Sequence, residues 1–223
     1  MKIAAVADVH GPRYLSEFRR SLSDLGTVDL MLLAGDMINF GKPREYLNIV
    51  EAIESRTGAD IPIVSCFGNE EHVRVRDEIL ELVGDRIRFL DDSACSLDLD
   101  GITIGVVGAP AIVRRKSSEV DIEKIREAFE KRSDHISELL DEVSKNASFT
   151  ILLMHYNPLL PSQSESDSDS FSWWVARAVE RTQPDLVLHG HVHGTDQPET
   201  TVGRSRVINV AFPARNKVTE IHL

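Results

Sequence analysis

Cysteine is scarce: Cys66 and Cys95 are the two in a chain of 223 residues. That is too few for a disulfide framework, so burial of apolar surface must hold the fold. Long apolar runs are missing too. Nothing approaches the ~18 consecutive apolar residues needed to span a bilayer, so no membrane partner is expected. The apolar start at Ile3 to Val6 is interrupted by Asp8 before an h-region can form, and no small-residue cleavage site follows. With few cysteines and no leader, the expected compartment is the cytoplasm. Basic charge is in the minority, with Lys+Arg 25 against Asp+Glu 36 and a formal net charge of −11. A field of that sign repels phosphate backbones and anionic lipid, so no nucleic-acid polymer is expected as partner.

What is present is enough chain for a sizeable core: mass scaling gives about 10,000 Å² exposed when folded against about 36,000 Å² unfolded. Short aliphatic runs each stop at a polar or glycine-containing turn. They are Ile3–Ala7, Leu30–Ala34, Ile61–Phe67, Ile102–Val107, Phe149–Met154 and Leu186–Leu188. Runs of this length suit buried strands. Helical patterns lie between some of them, at Leu15 to Leu25, Arg44 to Ser55 and Glu70 to Val83, the last stopped by Gly84. The alternation predicts an α/β layered fold. Asp121 to Val143 carries Ile122, Ile125, Phe129, Ile136, Leu139, Leu140 and Val143 at helical spacing, an amphipathic helix whose stripe docks on the body. A homodimer through that helix is the one self-association the pattern suggests. Val202, Arg206–Val210 and Val218–Leu223 read as short strands finishing a second sheet. The chain reads as a single domain over 1–223, with a helical insert near 114–146 and a mobile, polar low-complexity loop near 161–170 (SQSESDSDS within 162–170).

Residues of metal-ligand type recur just after the strand runs, where open α/β sheets place their binding crevices. The set is Asp8-Val9-His10, Gly35-Asp36, Gly68-Asn69-Glu70-Glu71, His155 and Gly190-His191-Val192-His193. Any one of these is an ordinary cap, turn or structural histidine. Five in order, each behind an apolar run, point to a metal centre. Two divalent cations about 3.5–4 Å apart repel, so they need a bridging carboxylate, further anionic charge, and neutral imidazoles that bind without overcharging the site. The glycines before Asp36, Asn69 and His191 permit tight turns that aim these side chains inward.

From Asp8 to His193 the sequence resembles the calcineurin-like metallophosphoesterases, whose pattern is D-x-H, GD, GNH[D/E], H and GHxH. The resemblance implies a four-layer αββα sandwich of two mixed β-sheets flanked by helices. It implies that Asp8, His10 and His193 hold one metal, that Asn69, His155 and His191 hold the other, and that Asp36 bridges both. The ions would be manganese first, with Fe, Zn, Ni or Co also suited to the set. The implied reaction is hydrolysis of a small phosphate ester by a metal-bridging hydroxide, with no covalent intermediate. Cys66 then reads as core, not nucleophile.

One position departs from the pattern. Glu70 stands where the family carries the histidine that meets the phosphate and protonates the leaving oxygen, a step worth typically 10²–10⁴-fold. Glu70 could open the following helix, sit protonated in a dry pocket, or leave the task to His72. The catalytic set is therefore Asp36, Asn69 and His72. An anionic Glu70 favours a diester, which brings one negative charge, over a monoester, which brings two, so the expected activity is that of a phosphodiesterase, on a substrate such as a small nucleotide. The alternative is a catalytically weak metal-binding scaffold or protein-interaction module on the same fold, against which the retained ligand histidines argue. Glu71 fits an orienting role. His189 is either an orienting partner of a ligand or structural. Arg13, Arg114 and Arg115 are placed in sequence either to meet a phosphate or to face water, and Trp173 and Trp174 either to stack on a base or to fill core.

Overall fold

Ile3, Ala5 and Ala7 pack on one side of the first strand while Ala4 and Val6 pack on the other. That period of two, with both sides apolar, puts β1 (Lys2–Val6) in the middle of a sheet. A computed structural model describes residues 1–111, 122–158 and 173–223. In one sheet β1 lies between β11 (Thr219–His222), antiparallel, and β2 (Leu30–Leu33), parallel. β3 (Ile63–Ser65) and the two-residue β4 (Arg88–Phe89) follow in parallel. The second sheet has the order β5 (Ser93–Leu99), β6 (Ile102–Ala109), β7 (Phe149–Met154), β8 (Leu186–His189), β10 (Ser205–Asn209) and β9 (Glu199–Val202), parallel from β6 to β10 with antiparallel edges.

Three apolar layers separate four structural ones. Between the sheets, Ile3, Leu32 and Val64 meet Val106, Leu153 and Leu188. Outside the first sheet, α1 (Leu15–Ser23), α2 (Glu45–Thr57) and α3 (Val73–Val83) bury Phe18, Tyr46, Ile49 and Ile79 against Met31 and Leu33. Outside the second, α4 (Ile122–Ser144) and α5 (Trp173–Thr182) cover Val107, Leu152 and Val187 with Phe129, Ile136, Leu140 and Val179. This is the αββα sandwich, and α4 docks Phe129, Ile136, Leu140 and Val143 of its stripe on the body as their spacing predicts. No helix among the described residues is long and apolar enough to cross a membrane.

Two expectations are corrected. Val218–Leu223 does not finish the second sheet: β11 crosses to the first and pairs with β1, where Lys2 and Glu220 form an ion pair at 2.5 Å. The third helix begins at Val73, not Glu70. The strand Ser93–Leu99 and the short α6 (Phe212–Arg215) are additions to the sequence reading. The expected loop near 161–170 and Arg114 and Arg115 lie outside the described residues.

Candidate metal centre

Asp8 follows β1, Asp36 follows β2 by three residues, Asn69 follows β3, His155 follows β7 and His191 follows β8. Parallel strands deliver all five at their carboxyl ends, along one edge of both sheets. The two edges are tied by backbone bonds, Ala7 N–H to Val210 and Ala111 N–H to Phe67, while Gly190 N–H to His155 links neighbouring strand ends of the second sheet. Asp8, His10, Asp36 and His191 take left-handed φ of 58, 47, 52 and 67°. Such values are uncommon without glycine, and their concentration here marks a site where the surrounding fold imposes geometry on side chains. Gly35, at φ 84°, supplies the turn before Asp36. At Gly190 the need is space, because a Cβ there would strike the carboxylate of Asp8.

The donors form two groups. In the first, His193 Nε2 lies 3.0 Å and His10 Nε2 3.6 Å from Asp8 Oδ1, with the two ring nitrogens 3.4 Å apart. Asp8 Oδ2 meanwhile accepts the N–H of His191 at 2.8 Å, which leaves Oδ1 for the group. In the second, His155 Nε2 lies 3.4 Å from Asp36 Oδ2 and 3.0 Å from Asn69 Oδ1, while Nδ1 lies 2.9 Å from the carbonyl oxygen of Ala34. That backbone contact fixes the ring and presents Nε2 to the donors. His191 joins by ring contact, 5.2 Å between centroids from His155. Potential ligand atoms of Asp8, His10 and His193, and of Asp8, Asp36 and His155, lie within 4.8 Å of one another. The Asp8 carboxylate thus lies within reach of both groups, with Asp36 beside it in the second. Asp36 Oδ1 accepts the N–H of Glu70 at 2.7 Å, and Oδ2 turns to His155 in the second group.

Electrostatics match a cation. Burial pushes His10 down against the pull of Asp36 and Asp8. Burial would lower His155 as well, but Asp36 and then Asp8 hold it up to about 10. Asp36 draws positive charge into a fully buried place, and a divalent cation supplies that charge. Two histidine nitrogens converging on one carboxylate oxygen, with the buried Nδ1 of His10 unpartnered, also fit a metal better than a hydrogen-bond network.

Glu71 is fully buried and accepts the N–H groups of Gly68, Asp36, Met37 and Ile38 at 2.7, 2.8, 2.8 and 3.3 Å, plus the Tyr46 hydroxyl at 3.1 Å. Burial and then the charge of Asp36 raise it to about 7 against those donors. It orients the loops and lies outside both donor groups. Glu70 is half-buried, and Oε2 accepts the N–H of Phe40 at 2.6 Å. It lies three residues before α3, so it is not in that helix's first turn. His72 packs its ring on Gly41, with Nδ1 buried and without a hydrogen-bond partner.

His189 is buried with Nδ1 2.9 Å from the Gly190 carbonyl oxygen, and burial lowers it to about 4, which makes it a neutral structural residue. Cys66 is core, its thiol pushed well up by burial and then by Glu71. Arg13 lies 4.9 Å over the ring of Tyr14. Two supporting residues escape sequence reasoning. Tyr156 sets its ring edge-on to His191 at 4.7 Å, and its place beside His155 was the available signal. Asn209 donates to the Val192 carbonyl at 2.7 Å and accepts from Ala211 N–H, bracing the histidine loop from the end of β10.

Comparison with known proteins agrees with this architecture. The family model for calcineurin-like phosphoesterases matches residues 1–195. A search of curated proteins by sequence finds no match. Among solved structures, the chain is similar to TT1561 of Thermus thermophilus (18% identity, TM-score 0.61, covering 99% of this chain and 98% of that one). It is also similar to the phosphopantetheinyl hydrolase of Mycobacterium tuberculosis (13%, 0.60, 96% and 90%) and to a dimetal phosphatase from Danio rerio (13%, 0.54, 94% and 86%). At these identities the likeness is one of fold. With its strand-end donors and a family match over most of its length, the chain belongs to the calcineurin-like phosphoesterases.

Proposed function

We propose that this metal-dependent phosphoesterase hydrolyses phosphodiesters at a two-cation centre. The observation that carries the reading is the convergence of Asp8, His10 and His193, and of Asp36, Asn69 and His155, on one edge of both sheets. Asp8, His10 and His193 would hold one ion, and Asn69, His155 and His191 the other. Asp36 would be the shared ligand, consistent with its charge acting on both His155 and His10, and Asp8, whose carboxylate also reaches both groups, would lie beside it. When bound, the cations supply a water acidified toward neutrality and neutralise the phosphoryl oxygens. The chain's own residues do the rest. Asn69 and His155 orient the centre, and His72 offers Nε2 to the leaving oxygen. Glu70, whose charge acts on His10, disfavours a second negative charge on the substrate. The names borne by two similar structures, phosphopantetheinyl hydrolase and dimetal phosphatase, fit a hydrolase. The mixed O/N donor set suits manganese, iron, zinc, nickel or cobalt, with availability deciding among them, and manganese is the ion to load first.

The test is an assay with Mn²⁺ on nitrophenyl diester and monoester, with Asp36→Ala and His155→Ala as controls. Faster diester hydrolysis that both substitutions abolish is expected. Bound metal without hydrolysis of either ester would overturn the reading in favour of a scaffold.

A further inference from the structure

Glu70 and Glu71 together hold the backbone of the loop that begins at Asp36. Glu71 accepts the N–H groups of Asp36, Met37 and Ile38, Glu70 accepts that of Phe40 through its carboxylate, and Gly41 N–H donates to the Glu70 carbonyl at 3.1 Å. The loop is kept in a shape its residues do not favour. Phe40 sits at φ 52°, a left-handed conformation that is unusual for a bulky side chain. The result is to stand Phe40 off the surface at 69% exposure. The other strongly exposed apolar side chain, Val73 at 73%, follows His72, whose ring lies on Gly41. Among the described residues, no other large apolar side chain exceeds 43%.

One exposed apolar residue asks for no explanation. Here the two most exposed ones flank a single contact, His72 on Gly41, and one of them stands on strained backbone. Phe40 adjoins the proposed metal centre, because the residue that holds it also gives its own N–H to Asp36, and Val73 opens α3 directly after His72. Strain kept at the edge of a site by dedicated hydrogen bonds indicates a placed side chain. An aromatic ring so placed offers a face that an aryl or alkyl group can cover, with the release of water from both.

We infer that Phe40, with Val73 across His72, is an apolar wall that takes an aryl or alkyl group of the ester, and that Glu70 is the positioning residue that sets this wall. The inference rests on the phosphodiesterase reading above. It gives the departure from the family pattern at residue 70 a purpose: a carboxylate that accepts from Phe40 replaces an imidazole and trades proton transfer for control of the rim.

The experiment is binding of diphenyl phosphate and dimethyl phosphate to the manganese-loaded chain, by calorimetry for the tighter ligand and competition for the weaker. Both ligands are monoanionic diesters and differ only in their organic groups. Phe40→Ala is expected to weaken diphenyl phosphate about tenfold and to shift dimethyl phosphate by less than about twofold, with Phe40→Leu in between. Glu70→Gln, whose amide oxygen still accepts from Phe40, keeps the ratio of the two affinities, and Glu70→Ala lowers it as Phe40→Ala does. Equal shifts for both ligands, or none in Phe40→Ala and Phe40→Leu, overturn the wall. A ratio lost in Glu70→Gln as fully as in Glu70→Ala overturns the positioning role. Aryl preference in a protein that hydrolyses no ester refutes the phosphodiesterase reading instead, and hydrolysis without Phe40-dependent preference refutes only the wall.

Discussion

His155 stands with Nε2 3.4 Å from Oδ2 of Asp36 while its Nδ1 lies 2.9 Å from the carbonyl oxygen of Ala34. A ring held at one nitrogen has its other nitrogen aimed, and both residues are almost wholly inaccessible to water. The pair joins the two sheets, since Asp36 belongs to the loop after β2 and His155 directly follows β7. The proposed metal centre and the sandwich are thus built together: anything that slides the sheets past each other separates these atoms.

Glu71 makes the loops on the first sheet depend on one buried carboxylate. Glu71→Ala leaves the N–H groups of Gly68, Asp36, Met37 and Ile38 without their acceptor. At about 1–3 kcal/mol for each buried orphan, a loss of at least about 4 kcal/mol is expected. Denaturant unfolding of the two chains measures it, and a difference below about 1 kcal/mol would contradict the clamp.

His72→Ala separates proton transfer from packing. With His72 as the donor to the leaving oxygen, the substitution slows a phenyl or alkyl diester by about a hundredfold or more and a nitrophenyl diester, which leaves unaided, by far less. Equal losses on the two substrates would reduce His72 to its contact with Gly41.

Glu70→Gln removes a negative charge from the rim while keeping an acceptor for Phe40. The ratio of diester to monoester hydrolysis is expected to fall about three- to tenfold, because the dianionic monoester gains more from the change. An unchanged ratio would show that the charge on Glu70 does not select the substrate.

Much of this was legible in the sequence. The apolar runs marked strands because β1, β2, β7 and β8 are apolar on both faces, and the donors were visible because each follows such a run. The strand Ser93–Leu99 (SACSLDL) was not, since as the outermost strand of its sheet it mixes half-exposed polar residues with only Cys95 buried. The destination of β11 was hidden because four residues carry no information about which sheet they join. Pairing with β1 decided it, with Lys2 opposite His222 and beside Glu220. The role of Glu70 stayed open among three readings because its partner, Phe40, lies 30 residues away. Hydrogen bonds between distant loops leave no periodicity to read.

Away from the site, Arg86 grips Glu54 with Nε at 2.8 Å and with a second nitrogen, and these bonds hold Glu54 below its usual value of 4.5. A depressed carboxylate contributes stability above its unfolded value and loses it as pH falls through the folded one. Glu54→Gln is therefore expected to cost up to about 1 kcal/mol at neutral pH, as partly exposed pairs do. The gap closes as pH drops below about 4. Urea midpoints of both chains across that range check it, and a gap that stays constant on acidification would contradict the assignment.

The central claim is a centre of two cations shared through Asp36, and counting metal tests it most directly. Elemental analysis of the manganese-dialysed chain is expected to give two ions per chain, falling to one or none in Asp36→Ala with the fold intact by circular dichroism. A wild-type chain that holds no stoichiometric metal, or an Asp36→Ala chain that still holds two ions, would contradict it.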